Sequence, residues 1–245
     1  MFVVPVNAGL FCNKLFICSI YSIFSAQQNR EISFARYGGD YSASIFQFLD
    51  QNKLKIVDVE DDKYSIYPEI MSLSCSNNEY LQCKNAANFV VDNLDLVFKE
   101  EVINQEPIEG IFVHMRLGDL GSQFQLGMDY YESALRKVYS EIAMSDRPKI
   151  SPFKKYVTSN EVHSDTVKNF AKQFDFEIYD AGKEETLKFG SRFTNKILSH
   201  GSYSWFIGAL GCKNNIVYPA FYEDKTWHDP TFYEVDGWKP VYYRN

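Results

Sequence analysis

The sequence predicts an α/β chain of two doubly wound halves with parallel sheets, residues 1–105 and 106–245. Three observations carry this. The chain opens as an apolar run, a glycine turn and an apolar helix, which is how a doubly wound sheet begins. A polar stretch, Asn104-Gln105-Glu106-Pro107, reads as a linker. Beyond it, short apolar runs alternate with helical patterns, which implies right-handed βαβ crossovers.

In the first half, Met1 to Val6 reads as a strand, Asn7-Ala8-Gly9 as a turn and Leu15 to Phe24 as a helix. Asn13 and Lys14 interrupt the apolar stretch from Leu10 to Ala26, no basic leader precedes it, and Ser19, Ser22 and Ser25 recur every third residue. It therefore reads as a buried helix rather than a signal or a membrane span. Glu31 to Phe34 is a second strand, Tyr37-Gly38-Gly39-Asp40 a loop, and Lys53 to Val59 a third strand. Glu60 to Asn85 is polar and poorly patterned, and Glu60-Asp61-Asp62 within it is a surface charge run. A helix from Ala86 to Val102 closes the half.

The second half alternates more cleanly. Gly110 to Met115 is an apolar strand, and Asp129 to Ile142 carries Tyr131, Leu135, Val138 and Ile142 as the apolar residues of a helix. Lys155 to Thr158 is the next strand, after which Val167, Phe170, Ala171 and Phe174 fall at i, i+3, i+4 and i+7 on one helical face. Phe176 to Tyr179, Lys196 to Ser199 and Ile216 to Tyr218 supply further strands, with helical stretches at Glu184 to Phe193 and Tyr203 to Leu210. In such sheets ligands bind at the carboxyl ends of the strands. The aromatic tail from Tyr218 to Tyr243, with Trp227 and Trp238, is expected to pack over the first half; a platform for a sugar is the other reading. His163 and His228 read as solvated loop or helix-cap residues.

Composition narrows the class. A chain of 245 residues that is 45% hydrophobic and 23% charged buries a substantial core and is not disordered, collagenous or a coiled coil. With 25 basic against 32 acidic residues the formal charge is −7, which repels polyanions, so no nucleic-acid partner is expected. The cysteines (Cys12, Cys18, Cys75, Cys83 and Cys212) lack a CxxC pair or a nearby His, which supports neither a metal site nor a disulfide framework. Only Cys75 and Cys83 stand close enough across a short loop to pair. A reducing compartment is the default, and the expectation is a soluble cytoplasmic protein without a transmembrane segment. The lack of any Asn-x-Ser/Thr acceptor agrees with it.

Two segments place chemistry at strand ends. Ile111 to Asp119 sets an apolar strand before His114 and Arg116, which, being two apart, point to the same side of the sheet. Gly118 allows a sharp exit, and Asp119 can hold a cation or the Arg116 guanidinium. A strand end with a solvated ion pair is the plain alternative. The second segment, Asn195 to Phe206, is a strand, a small-residue loop and an apolar helix, with Ser202 as its N-cap and free N–H groups after it that make an anion site. A serine that merely caps its own helix is the alternative there. Together, an arginine at one strand end and an anion-seeking helix start at a later one converge on a diphosphate, as a leaving group that gathers negative charge requires. No Gly-x-Gly-x-x-Gly follows a strand, and neither Gly-x-x-x-x-Gly-Lys-Ser/Thr nor Asp-x-Asp occurs. Dinucleotide oxidoreductases, P-loop NTPases and metal-dependent sugar transferases thereby lose their usual signatures. A site without metal or cofactor that handles a diphosphate remains.

At this point the residues resemble a family almost end to end. Asn7 to Phe16 resembles the amino-terminal Gly-Gly-Leu-Gly-Asn-Gln-Leu-Phe of the alpha-1,2-fucosyltransferases, with Cys12 for a glycine and Lys14 for the glutamine. His114-Met115-Arg116-Leu117-Gly118-Asp119 resembles their His-Val-Arg-Arg-Gly-Asp, with Leu117 in place of the second arginine. Gly127 to Leu135 looks like their Tyr-Tyr-x-x-Ala helix, and Tyr156 to Asn160 takes the place of a Phe-Ser-Asp-Asp strand end. Glu184-Glu185, Asn195 and Ser202 to Phe206 resemble Glu-Asp, Asn and Ser-Phe-Ser-Trp-Trp.

The resemblance, which extends to the fucosyltransferases that use GDP-fucose, implies a GT-B-like fold of two Rossmann-like halves facing a cleft, 1–105 on the acceptor side and 106–245 binding the nucleotide sugar. It implies an inverting, metal-independent glycosyltransferase that moves fucose from GDP-fucose to a glycan hydroxyl, the donor being a substrate and no cofactor being needed. Arg116 would neutralise the β-phosphate, and Ser202 with the N–H groups of Tyr203 and Ser204 would hold the same diphosphate. His114 would contact the guanosine, Glu185 the guanine edge, and Asn13 the donor from the glycine loop of the first half. Asp119 is the candidate base, with anchoring of Arg116 as its alternative role. Losing the second arginine would remove one positive charge near the diphosphate. Two rivals stay open: the same fold with another nucleotide sugar (GDP-rhamnose, GDP-mannose or a UDP-sugar), and a non-catalytic glycan- or nucleotide-binding module.

Overall fold

The computed structural model describes residues 1–4, 11–34, 40–57, 73, 81–118, 125–144, 153–221 and 229–243. The chain divides into two compact units, Met1–Ile103 with Glu234–Asp236, and Asn104–Tyr233 with Gly237–Asn245. Both are α/β units with parallel sheets.

In the first unit β1 (Phe2–Val3), β2 (Glu31–Ser33) and β3 (Lys55–Ile56) lie side by side in chain order. The apolar stretch after β1 is α1 (Phe11–Gln28), buried at almost every position from Phe11 to Ser25. Two of its serines turn inward to backbone: Ser19 Oγ donates to Leu15 O at 2.7 Å and Ser25 Oγ to Arg30 O at 2.6 Å. This is how a helix that is apolar all round carries hydroxyls at little cost. Among the described residues no helix is long and apolar enough to cross a membrane.

Several first-half expectations change. A short helix, α2 (Asp40–Ile45), begins where a loop was expected. The strand expected at Lys53 shrinks to β3, because Asp50 accepts from Asn52 N at 3.0 Å and caps a 3-10 turn over Gln51–Lys53. The single helix expected over Ala86 to Val102 is three: α3 (Lys84–Asp92), α4 (Leu94–Val97) and α5 (Glu100–Ile103). Asn93 leaves helical geometry and donates to Phe89 O at 2.8 Å, and Phe98 bridges to Leu49 in an antiparallel pair. Asp50 N to Val97 O and Lys99 N to Phe48 O complete that crossing, so tertiary pairing overrides helical periodicity. Cys83, one of the two cysteines that the sequence allows to pair, is disulfide-bonded, whereas Cys12, Cys18 and Cys212 are thiols. Cys75, like the Asn7-Ala8-Gly9 turn, Glu60 to Asp62, Trp227 and His228, lies outside the described residues.

Among the described residues the second unit holds a six-stranded parallel sheet: β4 (Ile108–Met115), β5 (Lys154–Ser159), β6 (Glu177–Ile178), β7 (Phe193–Ile197), β8 (Asn215–Phe221) and β9 (Lys239–Tyr243). The order across it is β6-β5-β4-β7-β8-β9, the doubly wound order in which the chain first winds outward one way from β4 and then the other way from β7. Helices α6 (Met128–Met144) and α7 (Asp165–Phe174) cover one face, where Ile111, Val113, Met115 and Ile197 meet Tyr131, Leu135, Val138 and Phe170. Helices α8 (Lys183–Ser191) and α9 (Ser202–Ala209) belong to the other, where Phe112 meets Phe189 with ring centroids 6.1 Å apart.

Here β7 starts at Phe193, earlier than the expected Lys196, and α8 ends at Ser191. The strand β9 and a 3-10 turn over Pro230–Tyr233 were not expected. Pro240 hides the strand, yet β9 is the edge of the sheet, where a residue without an N–H is tolerated. Part of the described aromatic tail packs within the second unit, and Glu234–Asp236 groups with the first. Trp238 lies 6.1 Å from Trp205 between ring centroids, and Tyr233 stacks on Tyr218 at 6.1 Å and 13°.

Candidate anion-binding site at the switch point

In an open parallel sheet the crevice for a ligand lies outside the carboxyl ends of the strands where the winding reverses. In the second unit that place is between β4 and β7. The end of β4 supplies His114 and Arg116, and the end of β7 supplies residues 198 to 201 and the start of α9.

Alternation along β4 puts Phe112, His114 and Arg116 on the α8–α9 side. The His114 ring lies 5.1 Å from that of Tyr203, the second residue of α9. Arg116 reaches the helix start itself. Gly201, the N-cap residue, has φ 95° and ψ 157°, and a Cβ there would overlap Arg116 Nη1. The main chain of Arg116 is fixed too, its N–H donating to Ser199 Oγ at 3.1 Å.

Ser202 is not the N-cap but the first helical residue, and Gly201 makes no side-chain cap. The serine that serves the turn is Ser204, whose Oγ accepts from Ser199 N at 2.6 Å. The first N–H of the helix ladder is that of Trp205, donating to Gly201 O at 3.1 Å. The N–H groups of Ser202, Tyr203 and Ser204 precede it in the turn where an α-helix offers no intrahelical acceptors. A guanidinium against a helix N-terminus brings a full positive charge and the positive end of the helix dipole to one point, which favours a phosphate-like anion.

Leu117 faces the opposite way. It is buried in the α6–α7 core, and its backbone is gripped by Asn160, which accepts from Leu117 N at 2.7 Å and donates to Leu117 O. The position of the resembled family's second arginine thus belongs to the hydrophobic core in this chain, and leucine there subtracts no charge from the Arg116 side of the sheet.

Glu185 lies exposed in the first turn of α8, with Tyr179 OH donating to its Oε1 at 3.4 Å. Burial first and the Glu185 carboxylate second raise the Tyr179 pKa above its usual value. Tyr203 OH donates to Lys183 O at 2.7 Å, tying the start of α9 to that of α8. The structure thereby gathers His114, Arg116, Ser202, Tyr203 and Ser204, with Glu185 on the adjoining helix turn. Asn13 belongs to the first unit and sits in the first turn of α1 rather than on the glycine loop, accepting from Gln82 Nε2 at 2.9 Å. Asp119 lies outside the described residues. Asn195 is buried within the sheet, donating to Gly110 O and accepting from Asn215, and serves strand pairing. His163, exposed, faces Asp180 at 3.3 Å.

Sequence reasoning missed two groups around this site. Lys196, wholly buried on β7, points its ammonium at the end of α9 and donates to Gly208 O at 3.4 Å, Leu210 O at 3.2 Å and Cys212 O. Burial pushes its pKa down to about 7. The second group is the set of tyrosines Tyr130, Tyr131, Tyr233 and Tyr243, whose hydroxyls meet the β7–α9 loop. Helical spacing marked Tyr131 only as a core residue, and the two tail tyrosines fall in elements that were not expected.

No family model matches the chain, and no curated protein matches it in sequence. A solved structure of NodZ alpha-1,6-fucosyltransferase soaked with GDP-fucose is similar to it at 14% identity and a TM-score of 0.47, covering 86% of this chain and 92% of that one. A likeness at that level carries nothing about activity.

Proposed function

We propose that this chain is an inverting, metal-independent glycosyltransferase that moves fucose from GDP-fucose to a hydroxyl of a glycan acceptor. The observation that supports it best is the Arg116 guanidinium set against Gly201 at the start of α9, at the sheet's switch point. Breaking the bond between the sugar and the β-phosphate oxygen leaves the bonding electron pair on that oxygen. A preorganised cation and helix N–H groups stabilise such developing charge more than they stabilise the intact donor, and this difference lowers the barrier.

In this reading Arg116 pairs with the β-phosphate as the bond breaks, and the N–H groups of Ser202, Tyr203 and Ser204 share the diphosphate. His114 and Tyr203 flank the guanosine, and the Glu185 carboxylate accepts from guanine N1–H and N2–H. The acceptor oxygen attacks the anomeric carbon from the face opposite GDP, which inverts it, and gives up its proton late in the step. Asp119 is the proposed base, and Asn13 the proposed donor contact from the first unit.

Calorimetry with GDP, UDP and ADP on the wild-type chain and on Arg116→Ala, without added metal, tests the reading. GDP-selective binding that the substitution weakens is the expected result. Preference for UDP would remove fucose from the proposal, and no nucleotide binding at all would remove the transferase.

A further inference from the structure

We infer that Tyr233 and Tyr243 are positioning residues for the diphosphate subsite, an inference that rests on the reading of that subsite above. Four consecutive loop residues are each met by one tyrosine hydroxyl. Tyr130 donates to Leu198 O at 2.6 Å, Tyr131 to Ser199 Oγ at 3.2 Å, and Tyr233 to Gly201 O at 2.9 Å; between the last two, Tyr243 OH and His200 Nε2 stand 2.7 Å apart. Two of these tyrosines come from α6, one from the 3-10 turn and one from β9. Distant parts of the unit thus converge on one short loop.

That loop needs holding. Ser199-His200-Gly201 has little apolar side chain to pack, and a glycine at positive φ carries the largest backbone entropy to lose on ordering. The Tyr233 bond has a directional consequence as well. Gly201 C=O and Ser202 N–H belong to one planar peptide unit and point in opposite directions. Fixing the carbonyl on Tyr233 therefore aims the Ser202 N–H away from it, and a carbonyl that accepts from both Tyr233 and Trp205 makes that N–H a stronger donor. Tyr243 acts one residue earlier by fixing the His200 ring, itself buried.

All four hydroxyls stay protonated at ordinary pH. Burial raises every one of these tyrosine pKa values, and at Tyr233 the nearby Arg116 charge opposes the rise without reversing it. The geometry therefore describes a permanent brace and not a titrating switch.

The test compares wild type with Tyr233→Phe, Tyr243→Phe and, as a stability control, Val138→Ala, a buried α6 residue away from the loop. Phenylalanine keeps the ring and deletes only the hydroxyl. Calorimetry with GDP and with inorganic pyrophosphate, well below each unfolding midpoint, is expected to show roughly five- to tenfold weaker binding in each tyrosine variant, the effect of about one hydrogen bond. Val138→Ala should lower the unfolding midpoint and leave both affinities unchanged. With GDP-fucose as substrate, kcat/KM should fall in the tyrosine variants while the KM for the acceptor stays put. Wild-type binding that persists unchanged in both tyrosine variants overturns this inference alone. Wild type that binds neither probe overturns the subsite and the inference together. Should one variant fail to fold, the other decides, because the two hydroxyls bond different loop residues.

Discussion

The Arg116 guanidinium occupies the space that a side chain on residue 201 would fill, against a Gly201 backbone at φ 95° and ψ 157°. Two separate demands fall on that one glycine. The first is conformational, since this region of backbone space is nearly closed to other residues and costs about 1–3 kcal/mol elsewhere. The second is steric and depends on Arg116. Gly201→Ala should therefore destabilise the second unit by about 1–3 kcal/mol from backbone strain and also displace the guanidinium. In urea melts the penalty of Gly201→Ala should be smaller in an Arg116→Ala background, where the overlap is gone. Equal penalties in the two backgrounds would mean that the arginine does not rest there in solution.

On the proposed function, Arg116→Ala should lower turnover of GDP-fucose by about two to three orders of magnitude, the usual effect of deleting one preorganised group that meets transition-state charge. Its unfolding midpoint should stay close to that of wild type, because Arg116 is only partly buried. Arg116→Lys should recover part of the loss at most, since an ammonium lacks the planar fork that pairs two phosphate oxygens. Steady-state kinetics on the three proteins decides the matter, and wild-type turnover in Arg116→Ala would sink the site.

Leu117 gives a prediction that runs against the resemblance. Restoring an arginine there would look like repair on the motif alone. In the structure the side chain is 8% exposed within the α6–α7 core. Leu117→Arg should thus bury an unpaired charge and destabilise the unit severely, by several kcal/mol, with no gain in GDP affinity. Circular dichroism melts and calorimetry on that variant test both halves of the statement.

These cases mark how far the sequence could be read. Strand β4, helix α7 and the start of α9 were legible because their apolar spacing is local and bounded by glycine or polar residues. The convergence of Arg116 with the α9 start was legible too, since both sit at carboxyl strand ends. The split of α3, α4 and α5 was not, because Phe98 is drawn out of the helix by Leu49, half the unit away in sequence. Strand β9 was masked by Pro240, and with it went the Tyr243 brace, while Tyr233 fell in the unexpected 3-10 turn. Ser202 was misread as the cap because serine is the commoner N-cap, whereas the close approach of Arg116 leaves room only for glycine at residue 201.

Lys196 ties stability to pH. Its ammonium is wholly buried, and desolvation lowers its pKa from the ordinary 10.5 to about 7, while the carbonyls of Gly208, Leu210 and Cys212 resist the shift by accepting from the charged form. Between those two values the unfolded chain holds a proton that the folded chain has released. Unfolding therefore takes up a proton, and stability rises with pH across that interval. Below about 7 the penalty is present in full, and above 10.5 it is gone. Lys196→Met removes the titrating group while keeping much of its length, so the difference in stability between wild type and variant should shift in favour of wild type as pH rises from 7 toward 9.5. Every other titrating group is common to both proteins and cancels in that difference. Urea melts at several pH values across the window read it directly. A difference that stays level would show that the three carbonyls hold the ammonium charged in the fold.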